Sequence, residues 1–284
     1  MRIIILFIIF LFIIFLFIIF LCIITEQYIN INNEYELKKD GCIIIKDVLN
    51  LNEINNLHSL CVNGDYKQVK LFIINNNTIL SKIHKILDKD YIFQDYIWII
   101  QKSTVHTCHR DNNGDFFNKD QKHPSYTMLL YLEDMERCLG VIPASHHSEY
   151  SYMVNFNNAV EHLLCKKGDI ILFNANLVHV GALNSRHDNV RIQMKLTHKE
   201  DIPVLSYYQN FNKVLNKENN IPESVLLFQK NISCMFPYIS NLNQKENIKT
   251  LRGTDNGIKI GWLQKIFSYL FYGDSNFYDS PNAF

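Results

Sequence analysis

Hydrophobic and polar positions divide the 284-residue chain into an apolar N-terminal segment and a body of mixed periodicity. Residues 3–24 contain no charged residue, no glycine and no proline. As an α-helix this segment is about 33 Å long, which is enough to cross a lipid bilayer. Its Ile-Ile-Phe-Leu-Phe motif repeats at a period of five residues, which indicates a low-complexity apolar expansion.

We expect residues 1–25 to form an uncleaved transmembrane anchor rather than a signal peptide. A signal peptide has a shorter apolar region and a cleavage site of small residues, and residues 21–25 offer no such site. The orientation stays open, because Arg2 on one side is nearly balanced by Lys38 and Lys39 on the other. The sequence therefore predicts a single-pass membrane protein with a polar, Asn-rich linker at 26–34.

The body begins with alternating strand and helix patterns. A short β-branched run at Cys42–Ile45 predicts a buried strand, and apolar residues at helical spacing predict helices over 51–62 and 78–87. Further short apolar runs predict strands at 96–100, 127–132, 170–173 and 190–196. Several short strands separated by loops favour a β-sandwich or barrel.

The C-terminal part carries two helical patterns. Pro222 suits the first position of a helix that continues to about residue 229. Residues 258–272 are amphipathic, and we expect a helix that docks on the main domain rather than one on a membrane surface, because it lacks a basic polar face. The predicted organisation is an anchor at 1–25, a linker at 26–34, a main domain at 35–200 and a helical extension at 201–284.

Charge and cysteine usage exclude some functional classes. The chain has 28 basic and 28 acidic residues, so bulk electrostatics predicts no nucleic-acid partner. The seven cysteines stand singly and form no Cys-x-x-Cys pair, which argues against a structural zinc module. The pattern is also unlike that of a small disulfide scaffold.

The candidate chemistry lies between residues 107 and 191. In an extended strand His109 and Asp111 point to the same face, and His179 follows a Gly-Asp strand at 168–173. Two histidines and one carboxylate on one face of a metal suit non-haem Fe(II), because three positions stay open. Arg191 follows, and it would bind an acidic cosubstrate in a bidentate manner if its side chain points inward rather than to solvent.

The order of these motifs resembles the phytanoyl-CoA dioxygenase family of Fe(II)/2-oxoglutarate-dependent oxygenases. The resemblance rests on the segments 107–111, 141–146 and 168–173, followed by His179 and Arg191, and it spans roughly residues 35–199. Ala144 departs from the pattern, since the family usually has glycine there.

The resemblance implies a mainly β fold with flanking helices, namely a double-stranded β-helix of the jelly-roll, cupin-like type, here with an N-terminal transmembrane helix. It implies Fe(II) held by His109, Asp111 and His179, and 2-oxoglutarate held by Arg191. Thr127, on the strand after the first ligands, would contact the cosubstrate or simply pack within its strand.

Three other residues near the motifs have plainer interpretations. We expect His146 and His147 to lie in a loop and not to bind the metal. Cys108 should face away from its neighbour His109, as a buried thiol.

The expected function is that of a membrane-anchored Fe(II)/2-oxoglutarate-dependent dioxygenase that hydroxylates a small-molecule or lipid substrate. One alternative is a catalytically silent jelly-roll that binds a ligand or partner at a membrane. A second is a jelly-roll that uses another metal.

Overall fold

A computed structural model describes most of the chain and shows two β-sheets flanked by helices. The described residues are 2–24, 34–102, 107–111, 113–118, 120–135, 137–155, 160–181, 188–208, 210–216, 222–238, 262, 265–266, 269–270, 273–275 and 283–284. The helices are α1 (Arg2–Ile24), α2 (Leu37–Asp40), α3 (Leu51–Asn63), α4 (Tyr66–Asn75), α5 (Asn77–Ile86) and α6 (Glu223–Met235). The strands are β1 (Cys42–Ile45), β2 (Tyr91–Lys102), β3 (Tyr126–Tyr131), β4 (Leu139–Val141), β5 (Glu161–His162), β6 (Ile170–Asn174), β7 (His179–Gly181), β8 (Asp188–His198) and β9 (Phe211–Leu215).

Helix α1 confirms the predicted apolar helix at the N-terminus. Among the described residues it is the one helix long and apolar enough to cross a membrane, and its segment Ile3–Phe20 is not buried against the rest of the protein. Length and composition alone support this property, so the membrane crossing stays a prediction. Residues 25–33, which include nearly all of the expected linker, lie outside the described residues.

The strands form one large and one small sheet. The large sheet has the order β1-β6-β3-β8-β2-β9, and the small sheet has the order β5-β4-β7. All neighbouring strands are antiparallel except β2 and β9. Strands β3 and β8 are therefore central, with paired neighbours on both sides.

Each face of the large sheet is covered by a different layer. Met128 and Leu130 of β3 point to a core shared with helices α3, α4 and α5. Leu129 and Tyr131 point to the opposite face, where they pack with Leu139 of the small sheet. This alternation follows from the two-residue period of a strand. It means that any polar side chain beside Leu129 and Tyr131 lies between the two sheets.

The predicted elements are largely confirmed, including both helices in the first part of the main domain. The Asn50 side chain accepts from the Glu53 amide at 3.0 Å and the Glu53 side chain accepts from the Asn50 amide at 2.9 Å, a capping box that fixes the start of α3. Helix α4 was missed, because only Val69 and Ile73 are buried and the apolar pattern is weak.

The C-terminal segment contributes more than helices. Strand β9 lies within residues 201–284, predicted as a helical extension, and it extends the large sheet by parallel pairing with β2. Its sequence, Phe-Asn-Lys-Val-Leu, has neither a continuous apolar run nor a strict alternation, so it gives no strand signal. Helix α6 confirms the expected helix after Pro222 and continues to Met235. Most of the predicted helix at 258–272 lies outside the described residues.

Candidate metal centre

Two predicted ligands, His109 and His179, are joined by a pair of backbone hydrogen bonds. The amide of His109 donates to the carbonyl of His179 at 2.9 Å, and the reverse bond has the same length. Two residues further on, the amide of Asp111 donates to the carbonyl of Ala175 at 2.8 Å. This local antiparallel pairing holds residues 107–111 extended, so that His109 and Asp111 share one face as the alternation predicts.

The three side chains converge on one point. The Nε2 atoms of His109 and His179 lie 3.9 Å and 4.0 Å from Oδ1 of Asp111. One ligand atom from each residue lies within 4.8 Å of the other two. An ion at the centre of three atoms about 4 Å apart is about 2.3 Å from each, close to the ~2.0–2.2 Å of a metal–nitrogen or metal–oxygen bond. The arrangement therefore fits a single metal ion.

Both imidazoles have the tautomer that a metal ion requires. Nδ1 of His109 lies 2.8 Å from the carbonyl of Thr107, and Nδ1 of His179 lies 2.9 Å from the carbonyl of Leu177. A carbonyl only accepts, so each Nδ1 carries the proton and each Nε2 presents its lone pair to the centre. Burial lowers the pKa of His179, although the charge of Asp111 acts in the opposite direction. The ring is therefore kept neutral.

The carboxylate of Asp111 is held from its other side. The hydroxyl of Thr127 donates to Oδ2 at 2.6 Å, and the ammonium of Lys195 contacts the same oxygen. Lys195 also donates to Thr127 Oγ1 at 2.8 Å, which closes the triangle. Burial alone would raise the pKa of Asp111, but Lys195 and the two histidines hold it well below its usual range. Asp111 is thus ionised, with Oδ1 free to face a cation.

Arg191 lies in the same cleft as the three ligands. In the pairing of β3 with β8, Thr127, Leu129 and Tyr131 stand opposite Lys195, Gln193 and Arg191. All six side chains therefore point between the sheets, and Arg191 is 8% exposed with its guanidinium on the Asn189 side chain. The cleft has a volume of about 720 Å³ including its open mouth. The inward orientation anticipated for Arg191 is the one found, rather than a solvated outer face.

The sequence analysis missed two buried charged residues at this site, and Lys195 is the first. It is 1% exposed, and its ammonium is 5.6 Å from the centre of the Tyr96 ring. Its alternation with Ile192, Met194 and Leu196 on β8 was a signal, because it places Lys195 on the face that carries Arg191.

Arg110 is the second missed residue, and it lies between two ligands but points to the opposite side. Its guanidinium donates to the carbonyls of Asn176 at 2.8 Å, Ser145 at 2.9 Å, Ser151 at 3.1 Å and Ser148 at 3.2 Å. Burial lowers the pKa of Arg110 to about 10, so it keeps its charge near neutral pH. Arg110 thereby ties the loop 145–151 to the segment that carries His109 and Asp111.

The neighbouring residues behave as expected. His146 and His147 lie in a 3-10 turn, and their Nε2 atoms approach the carbonyls of Lys38 and Lys39 at 3.2 Å and 3.0 Å. Neither belongs to the candidate metal group formed by the three ligands. Cys108 is fully buried in a small apolar cluster with Val178. It faces away from the metal centre.

One family model matches the part of the chain that carries this geometry. The family model described as phytanoyl-CoA dioxygenase (PhyH) matches residues 68–188, which include His109, Asp111 and His179. None of the curated proteins compared with the chain matches it.

Two of the solved structures with a similar fold are SnoN and HygX. The alpha-ketoglutarate-dependent epimerase SnoN from nogalamycin biosynthesis has 12% identity and a TM-score of 0.47, with 57% of this chain and 80% of that chain covered. HygX from Streptomyces hygroscopicus with iron bound has 13% identity and a TM-score of 0.48, with coverages of 61% and 88%. The match covers 121 of the 284 residues, so the chain resembles the phytanoyl-CoA dioxygenase (PhyH) family over the segment that carries the buried triad.

Proposed function

We propose that the chain is an Fe(II)/2-oxoglutarate-dependent oxygenase whose metal is held by His109, Asp111 and His179. The observation that carries the proposal is that both imidazole Nε2 atoms face one carboxylate oxygen of a buried, ionised aspartate. This set of ligands suits Fe(II) and leaves three coordination positions for other molecules. HygX and SnoN, whose structures hold iron or 2-oxoglutarate, support the choice of cofactors by analogy of fold only.

The cleft places the positive charge of Arg191 at a distance from the metal that suits the far carboxylate of 2-oxoglutarate. Four residues of extended β8 separate Lys195, beside the metal ligand Asp111, from Arg191, which corresponds to about 13 Å between their backbones. 2-Oxoglutarate is an elongated dianion, so its 2-oxo acid end would bind the metal while its far carboxylate accepts from the Arg191 fork. Thr127 lies at the metal end, so any contact that it makes with the cosubstrate would be there.

The residues around the centre would orient the reactants and exclude water. Dioxygen would be the oxidant and 2-oxoglutarate the co-reductant, with Fe(II) bringing them together: one oxygen atom would enter succinate as CO2 is lost, and the other would hydroxylate a substrate C–H bond. The two facing sheets support the double-stranded β-helix that we expect for this class, and Leu129, Leu139 and Phe173 give the cleft an apolar wall. Such a wall keeps bulk water from the reacting atoms.

The substrate that we propose is a small molecule or lipid with an apolar portion. Trp98, Ile100 and Leu139 also line the cleft, which favours contact with hydrocarbon. Helix α1 would act as a single-pass membrane anchor that keeps the cleft near a membrane, because its apolar side chains are exposed. The balanced net charge gives no support for a nucleic-acid substrate.

One observation favours the alternative of a catalytically silent binding protein. The ammonium of Lys195 already contacts Asp111, so it offsets part of the negative charge that would attract a metal ion. In that case the cleft would bind a ligand without oxygen chemistry. The contact uses Oδ2, however, and Oδ1 still faces the imidazoles, which is why we favour the enzyme.

Anaerobic titration of the full-length protein in detergent separates the two functions. Fe(II) should bind at one ion per chain in this centre, and added 2-oxoglutarate should produce a visible charge-transfer absorption band. Slow succinate release on exposure to oxygen should follow even without substrate. Absence of both the band and the succinate would leave the silent binding protein as the better description.

A further inference from the structure

A second group of metal-binding side chains lies outside the centre described above. His123, His198 and Glu200, which we name the edge cluster, each offer one ligand atom within 4.8 Å of the other two. The cluster lies at one end of the strands of the large sheet, where β2 and β3 begin and β8 ends. None of its members lines the cleft that contains the triad.

Strand topology brings these residues together from distant parts of the chain. Strand β8 is antiparallel to both β2 and β3, so its last residue, His198, stands beside the segment that precedes β3. Asp201 fixes this segment, because its two carboxylate oxygens accept from the amides of Lys122 and His123 at 2.9 Å each. The backbone positions of the edge cluster are therefore set by the fold.

The side chains of the edge cluster are already in contact. The rings of His123 and His198 have centroids 3.8 Å apart, and Nε2 of His123 lies 3.4 Å from Glu200 Oε2. His198 is the buried member and packs edge-on against Tyr91. Its Nδ1 is 3.4 Å from the Glu200 amide, a long contact that a metal ion could replace. His123 and Glu200 are more exposed and free to adjust around an ion.

The donor atoms select one class of ion. Two imidazole nitrogens and one carboxylate oxygen suit Zn²⁺ and similar divalent transition metals, whereas Ca²⁺ and Mg²⁺ prefer oxygen ligands. Asp88 and Asp90 form an overlapping group with the same His198, which adds negative charge on its other side.

Two ammonium groups oppose this charge, but both can move away. Lys122 Nζ is 3.8 Å from Glu200 and Lys199 Nζ is 3.2 Å from Asp90, with lysine side chains that are 72% and 52% exposed. Exposed ion pairs of this kind contribute little and exchange readily with solvent.

We propose that the edge cluster binds a Zn²⁺-class divalent cation that fastens the segment before β3 to the end of β8. The ligands are His123, His198 and Glu200, with water in the fourth position of a tetrahedral site. Three residues, or about 10 Å of strand, separate His198 from Lys195. The ion would therefore stiffen the two strands that carry Thr127 and Lys195 beneath the proposed iron site.

The number of Zn²⁺ ions bound by the full-length protein tests the proposal. Equilibrium dialysis with metal analysis should give two Zn²⁺ per chain for the wild type and one each for His123→Gln and Asp111→Ala, because Zn²⁺ also enters the triad. The double variant should bind none. Affinity at the edge cluster should fall in His123→Gln by more than the 10–100-fold that loss of an outer-shell partner costs.

His58→Gln is the matched control. The His58 side chain is 37% exposed, as is that of His123, and it lies 3.0 Å from the Glu133 carboxylate, but among the described residues it belongs to no metal-binding group. This variant should keep both ions. Equal losses in His58→Gln and His123→Gln, or retention of Zn²⁺ by the double variant, would overturn the proposal. A wild type that binds one ion, lost in Asp111→Ala but kept in His123→Gln, would do so too.

The same measurements separate this site from the iron centre. If the triad bound no metal, the wild type and Asp111→Ala would both bind one Zn²⁺, and His123→Gln would bind none. That result would remove the proposed oxygenase function and leave the edge cluster in place. Co²⁺ offers an independent check, because a tetrahedral site with nitrogen and oxygen ligands gives a strong visible spectrum that His123→Gln should lose.

Discussion

Lys195 and Asp111 form a buried ion pair directly beneath the proposed metal. The lysine is 1% exposed and contacts Oδ2, while Oδ1 of the same carboxylate faces the two histidines. The pair gives Asp111 a counter-charge before any ion is present. A metal ion would therefore add a second cation to a carboxylate that is already held in place.

The first prediction concerns this ion pair. Lys195→Met removes the charge and keeps most of the volume, so the metal-free protein should lose about 3–5 kcal/mol of unfolding free energy, as expected when a buried carboxylate loses its partner. Added Fe(II) under anaerobic conditions should recover more stability in Lys195→Met than in the wild type, because the ion replaces the missing charge. Urea unfolding with and without metal measures both effects.

Lys199→Met serves as the control, since Lys199 pairs with Asp90 at the surface. Its stability should change by no more than about 0.5 kcal/mol. If Fe(II) does not reduce the loss of unfolding free energy in Lys195→Met, the ion does not replace the missing lysine charge.

The second prediction concerns the ligands. Asp111→Ala should abolish iron-dependent succinate formation, including the uncoupled reaction without substrate, because a three-ligand site has no redundancy. His146→Ala should bind iron as the wild type does, since His146 lies in a turn away from the triad. Iron content and succinate release measure the difference. Similar iron loss in both variants would rule out the assignment.

The third prediction concerns the cosubstrate. Arg191→Ala should weaken 2-oxoglutarate binding by about 2–4 kcal/mol, because a charge-assisted bidentate contact is lost, while iron still binds. The 2-oxoglutarate affinity of Arg191→Lys should lie between those of the wild type and Arg191→Ala, since lysine keeps the charge but not the planar fork. Titration of the iron-loaded protein with 2-oxoglutarate provides the affinities. An unchanged affinity in Arg191→Ala would exclude this role.

The fourth prediction concerns helix α1. A protein without residues 1–25 should stay folded and no longer sediment with membranes, because α1 contributes exposed apolar side chains rather than core contacts. Fractionation with a carbonate wash measures the attachment, and circular dichroism checks the fold. Persistent sedimentation of the shortened protein would point to an attachment elsewhere in the chain.

The fifth prediction concerns pH and the buried pair of His162 and Lys230. Their Nε2 and Nζ atoms are 3.0 Å apart, and burial, with the nearby charges of Lys230 and Arg137, lowers the pKa of His162 to about 3. The unfolded chain protonates this histidine near pH 6.5. Stability should therefore be complete above about pH 6.5 and decrease as the pH falls toward 3, by at most about 1.4 kcal/mol per unit for one group.

The His162→Gln variant isolates the contribution of His162 to the pH dependence of stability, because glutamine keeps a polar contact for Lys230 without titrating. Its unfolding free energy should decline less between pH 6.5 and pH 4 than that of the wild type. Parallel curves for the two proteins would show that His162 does not contribute. His84→Gln, at a partly buried histidine that contacts the Tyr91 carbonyl, is a suitable comparison.

The sequence was most informative where neighbouring residues alone determine the geometry. The shared face of His109 and Asp111 follows from strand alternation, and helix α3 follows from apolar residues at helical spacing. The contact between Lys195 and Asp111 could not be predicted in this way. It depends on the register that places Thr127 opposite Lys195, which only long-range pairing of β3 and β8 decides.

Other features were hidden for different reasons. Arg110 bonds to five carbonyls of residues that follow it by 35–66 positions, and no local pattern indicates where such carbonyls will lie. Strands β4, β5 and β7 have only two or three residues each, which is too short for a periodic signal. The small sheet that covers the cleft therefore became visible only in three dimensions.

The reciprocal backbone bonds between His109 and His179 have a consequence for the metal-free protein. Because these bonds form during folding, the ligands reach their final spacing without help from an ion. Metal binding should then cost little ordering entropy, and removal of the ion by a chelator should leave the backbone at both histidines as protected from hydrogen exchange as before. The centre is thus a preorganised receptor, which can release and rebind its metal without a folding step.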